Sequence, residues 1–165
     1  MIRSLWLILC VCAAANAAMP QSILGSEISV QVVTYDDPDA PILESQVYSA
    51  QIAPGAEFGL GPEGHPFVDI VQVTIDIGND GVVFSYESVP GIGGFTQAKF
   101  NGYILTISPC AAISAPELVT AQSISLAPSA LRSDENQLFV NVAGLAYQPE
   151  TRIEIAFDVQ PCPVS

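Results

Sequence analysis

Along residues 68–88, VDIVQVTIDIGNDGVVFSYES, side chains fall into two alternating sets. Val68, Ile70, Gln72, Thr74 and Asp76 form one, and Asp69, Val71, Val73, Ile75 and Ile77 the other. The second set is mostly β-branched and apolar, the pattern of a strand with one face turned to a core. Gly78-Asn79-Asp80-Gly81 tolerates the positive φ of a tight reversal, and residues 82–86 run back, so the segment predicts an antiparallel hairpin. A lone hairpin is marginal in water and needs a partner sheet over its apolar face.

The period of two recurs through the chain. Residues 27–35 predict a first strand with Ile28, Val30 and Val32 on one side, and residues 44–52 resume an extended pattern after the proline-broken turn 36–41. Residues 58–66 and 89–94 are glycine- and proline-rich connectors, and 111–116 reads as another loop. FTQAKFNGYILTI, residues 95–107, is extended, with Asn101-Gly102 predicting a turn or a bulge. Residues 119–126 predict a strand, and 127–136 a polar turn with room for one helical turn. QLFVNV (137–142) and RIEIAFDV (152–159) predict a second hairpin around a longer loop.

About eight or nine short strands at spacings near ten residues, with no stretch of helical period long enough for a crossover, predict an all-β fold. The expected architecture is a two-layer antiparallel β-sandwich, immunoglobulin-like or jelly-roll-like.

The first residues change the picture of where the chain works. Arg3, an apolar run over residues 5–12 and a small-residue ending at Ala15-Asn16-Ala17 read as a signal-peptide helix over 1–17. Its apolar run is too short to cross a bilayer, which needs about 20 residues, so no stable membrane insertion is expected after cleavage. The mature chain then comprises a flexible N-terminus at 18–26 and one domain over 27–165, in a secreted or periplasmic protein. Cys10 and Cys12 fall within the leader, leaving Cys110 and Cys162. An even pair in an exported chain suggests a disulfide, with each cysteine just beyond an apolar strand, in ILTISPC and IAFDVQPC.

Charge narrows the partners. Past the leader, Lys99, Arg132 and Arg152 are the only lysines and arginines against 17 acids. That field repels phosphate backbones and anionic bilayers, which argues against nucleic acid as a partner and leaves basic or neutral ones.

Four segments taken together resemble small exported β-sandwich domains of bacterial PEP-CTERM-type surface proteins. They are APGAEFG (53–59), VDIVQVTIDIGNDGVVFSY (68–86), GGFTQAKFNGYILT (93–106) and LFVNVAGLAYQPETRIEIAFDV (138–159). The resemblance rests on an FNG element before one strand and an F-V-N-x-x-G-L element before the last. It implies a sandwich module without enzymatic residues. The sequence ends in Gln160-Pro161-Cys162-Pro163-Val164-Ser165 and carries no C-terminal sorting segment, so envelope anchoring is not implied.

Candidate chemistry is sparse. A histidine-based triad has only His65 to draw on, in the loop GPEGHP, and no GxSxG elbow is present. Asp36, Asp37 and Asp39 crowd three hard oxygen donors into a proline-constrained turn and are the candidate calcium ligands. Tyr35, Tyr48, Phe58, Phe67 and Tyr147 lie near loops, where they form a candidate contact patch. These features predict a non-enzymatic structural, adhesive or interaction module of the cell surface, matrix or periplasm, binding a protein or polysaccharide of the envelope or a second copy of itself. The alternative is a calcium-assisted glycan-binding module, and an unrecognised hydrolase ranks third.

Overall fold

The computed structural model describes residues 22–64, 68–108 and 111–161. The expected signal peptide at 1–17, His65, Phe67, Cys110 and Cys162 lie outside the described residues. Within them the chain is built from antiparallel strands. In order these are β1 (Glu27–Tyr35), β2 (Leu43–Glu44), β3 (Tyr48–Gln51), β4 (Phe58–Leu60), β5 (Val73–Gly78), β6 (Gly81–Ser85) and β7 (Gly93–Gly94). Then come β8 (Phe100–Ser108), β9 (Ala111–Gln122), a single 3₁₀ turn (Pro128–Ala130), β10 (Leu131–Asp134), β11 (Gln137–Asn141), β12 (Ala146–Tyr147) and β13 (Arg152–Pro161).

One sheet runs β10-β11-β8-β1-β2, with β3 also on β1, and the other runs β4-β5-β6-β13-β9. β7 and β12 form a separate two-stranded ribbon. A single buried cluster takes Ile28, Val30, Tyr103, Leu105, Leu138 and Val140 from the first sheet and Ile75, Val82, Phe84, Ile153 and Ile155 from the second. Inward faces of two antiparallel sheets sharing one core are the arrangement of a β-sandwich.

The reading of β1 holds to the residue, and its inward row Ile28, Val30, Val32, Thr34 is buried throughout. The β5–β6 hairpin also forms, closing at Gly78 opposite Gly81. It begins at Val73 rather than Val68, because the Asp69 carboxylate accepts from the N–H groups of Glu63, Gly64 and Ile70 and fixes that stretch as a loop.

Four expectations are corrected by the pairing. Residues 137–142 and 152–159 are not a hairpin: β11 lies between β10 and β8 in one sheet, and β13 between β6 and β9 in the other. Their ten-residue connection crosses between layers, and β12 pins it by pairing Ala146 with Gly94 and Tyr147 with Gly93. Asn101-Gly102 is neither turn nor bulge but the interior of β8, with Gly102 opposite Val33 on one side and Asn141 on the other.

The supposed loop 111–116 is the start of β9, the longest strand. It carries Pro116 because it is an edge strand, where a missing N–H is tolerated. Two register shifts against β13 accommodate Ala115, at φ 48°, and Val119. Finally, the part of the N-terminus described is docked: Ile23 is buried, the Asn79 side-chain oxygen accepts from its N–H, and Gly25 N–H donates to Ile52.

Candidate functional site

Two loops, 95–99 and 142–145, are drawn together at one place by the two asparagines of the motif segments. Asn101 sits on the inward row of β8, two residues before Tyr103, a position that the alternation reserves for apolar side chains. It is buried, and a buried amide must be hydrogen-bonded on both ends. Its oxygen accepts from the Thr34 hydroxyl at 3.0 Å, and its amide nitrogen donates to Thr96 O at 3.0 Å. Asn141, at the end of β11, accepts from the Asn101 and Ala143 backbones and donates to Lys99 O. Val142 N–H returns to Asn101 O, Phe95 N–H to Leu145 O and Gly144 N–H to Thr96 O. The FNG and F-V-N-x-x-G-L elements are therefore a loop clasp.

An aromatic cluster sits beside the clasp. Phe95 meets Tyr86 edge-on at 5.8 Å and Tyr147 at 5.0 Å, and Tyr147 stacks on Tyr86 at 6.2 Å. Beneath them the Tyr86 hydroxyl donates to that of Tyr103 at 3.1 Å, with both rings buried. Burial holds both phenols protonated well above the usual tyrosine range, and each is affected by the other and by Tyr147. Against this group opens a cleft of about 230 Å³, with Val68, Asp69, Thr96, Asn101, Tyr103 and Tyr147 in its wall.

Two of the residues named as candidate calcium ligands accept backbone hydrogen bonds. Asp36 accepts from Lys99 N–H, tying its turn to the start of β8, while Asp37 accepts from Asp39 N–H in a local turn. Among the described residues no three acidic, histidine or cysteine side chains gather into a metal-binding group. That holds too for the depression of about 330 Å³ outside the second sheet, where Asp76, Asp80 and Glu154 fringe Gly81 and Val83.

The proposed aromatic patch is dispersed. Tyr35 stacks on Phe100 at 5.2 Å outside the first sheet, Phe58 is in the core, and the Tyr48 hydroxyl bonds to Glu63. Among the described residues of that set, only Tyr147 lines the cleft. Burial and the Glu63 carboxylate raise the Tyr48 phenol above its ordinary value.

Sequence pattern alone does not pair the two tyrosines, although it carries a signal for them. Tyr86 and Tyr103 fall on inward registers of strand-like segments, where a polar tip among aliphatic neighbours requires a partner. Comparisons with protein-family models, with curated proteins and with solved structures find no match to this chain. The likeness to PEP-CTERM-type modules therefore stands on the quoted segments alone.

Proposed function

We propose that this chain is an exported, non-enzymatic interaction module of a bacterial cell surface, matrix or periplasm, on an immunoglobulin-like or jelly-roll-like frame, and that it assembles through β9. The observation supporting this reading is the open edge of that strand. β9 pairs with β13 on one side; on the other, its backbone makes one hydrogen bond among the described residues, from Ile113 N–H to Glu135 O. Residues 117–122 thus present ladder donors and acceptors to a partner, with Val119 55% exposed beside them. Pro116 and the two register shifts break the edge into a short segment, which limits indiscriminate stacking while leaving room for one added strand.

The opposite edge of that sheet is the three-residue β4, too short for the purpose. The acidity of the chain favours a basic or neutral partner over a nucleic acid. A bridge between Cys110 and Cys162 belongs to the same reading, since the last rung of the β9–β13 ladder is Ala111 opposite Pro161, one residue from each cysteine.

The test is sedimentation of the mature protein, alone and with solubilised envelope protein, followed by cross-link mapping. Association with contacts on residues 117–122 is expected, and Val119→Lys should abolish it while leaving the fold within about 0.5 kcal/mol, as for an exposed substitution. A wild type that stays monomeric and partnerless, or a V119K variant that associates equally well, refutes the proposal.

A further inference from the structure

The Tyr86–Tyr103 pair contains two O–H donors and makes one hydrogen bond. Neither hydroxyl has another partner among the described residues. Among the described residues every buried side-chain nitrogen and oxygen has at least one partner, so both oxygens are satisfied; the surplus is a proton. Either hydroxyl can donate within the pair, but only Tyr103, a residue 1% exposed, forms part of the cleft wall, so a guest in the cleft meets the surplus proton on Tyr103, with Tyr86 donating to Tyr103. A buried donor without an acceptor is unfavourable and calls for a water or a ligand.

We propose that the cleft binds one neutral, hydroxyl-bearing ring of pyranose size, which accepts the Tyr103 proton. Size supports this first: about 230 Å³ is below the roughly 300–1,000 Å³ of drug-sized pockets and several times the ~30 Å³ of one water. A guest of about a dozen heavy atoms fits it. Chemistry supports it next. Tyr103, Thr96 and Tyr147 bring hydroxyl-bearing residues to the wall alongside Val68, Val71 and Phe95, so a guest with both several oxygens and C–H groups suits it. Charge completes the choice. Asp69 and the net charge of −13 repel an anion, and the backbone N–H groups already bonded to the Asp69 carboxylate weaken its pull on a cation. A sugar residue meets all three conditions, with no calcium required.

The methyl glycosides of glucose, galactose and mannose, each titrated into isotope-labelled protein, provide the test. At least one should bind with a millimolar Kd and move the Asn101, Gly102 and Thr96 amides. Tyr103→Phe should weaken that binding about tenfold, while Tyr86→Phe, which leaves the Tyr103 hydroxyl in place, should keep it within about twofold, tenfold corresponding to one buried hydrogen bond. A purely structural pair predicts instead that neither substitution changes binding. If Tyr103→Phe does not fold, Thr96→Val with Tyr147→Phe takes its place and must weaken the same glycoside. No amide shift up to about 100 mM of any glycoside, or unchanged binding in the Tyr103 and wall variants, overturns the inference. Because β9 contributes nothing to this cleft, that failure leaves edge assembly untouched.

Discussion

Replacing Gly102 by alanine probes the correction that matters most to the fold, since Asn101-Gly102 has the look of a turn and is the middle of a strand. A Cβ built there lies 1.9 Å from Val140 O, 3.0 Å from Val140 C and 3.2 Å from Asn141 Cα. All three contacts are backbone, so no rotamer change relieves them; β8 and β11 must separate by more than 1 Å, given an ordinary carbon contact of about 3.5 Å. That movement strains or breaks the Val142 N–H to Asn101 O bond and the Asn101 N–H to Asn141 bond. Two hydrogen bonds at about 1 kcal/mol each, plus about 1–3 kcal/mol of overpacking, give a loss of roughly 3–5 kcal/mol. At about 2–4 °C per kcal/mol, Tm should fall by roughly 6–20 °C.

Urea and thermal denaturation of the mature protein, followed by circular dichroism, measure this. Gly91→Ala is the control, because a Cβ there meets nothing within 4 Å and the change should leave Tm within a few degrees. A Gly102→Ala variant within about 1 kcal/mol of wild type would refute the close approach of the two backbones and with it the β8–β11 register.

Alkaline pH should destabilise the protein through the tyrosine pair. Both phenols are held neutral by burial, whereas the unfolded chain releases their protons near pH 10, so the stability they confer is complete below that pH and is lost as pH rises above it. Two groups give a slope of up to about 2.7 kcal/mol per pH unit; urea midpoints at pH 8 and pH 11 measure it, and a flat response from pH 10 upward would count against burial of both rings. For the disulfide, non-reducing peptide mapping should recover Cys110 joined to Cys162, and Cys162→Ser should lower stability by up to about 4 kcal/mol for a loop of about 50 residues. Two free thiols in protein purified from the periplasm would contradict it. Calcium should leave Tm unmoved, because Asp36 and Asp37 hold backbone N–H groups rather than a shared ion site; a calcium-dependent rise abolished by Asp37→Asn would restore the metal reading.

What the sequence determined by itself was local. Alternation placed β1 from Glu27 to Tyr35 and returned the chain at Gly78–Gly81, because β-branched residues on one face and a two-residue reversal act between near neighbours. The missing helical period likewise pointed to an all-β chain, as the sheets show. Which strand lies beside which was a different matter. The strands at 137–142 and 152–159 look like a hairpin, yet they join different sheets because earlier strands offer each a better partner: β8 for β11, and β6 and β9 for β13. Gly102 and Pro116 carry the same chemistry in a turn as in a strand, and only a neighbouring backbone, or the lack of one, decides between them.

The cleft was least legible of all. Its wall gathers residues from 32 to 147, and the tyrosine pair beneath it exists only because Tyr86, 17 residues before Tyr103 and in no sequence motif with it, comes to rest at hydrogen-bond distance inside the core. Periodicity specifies which face of a strand is buried; the packing of one layer on the other decides what each buried polar atom meets.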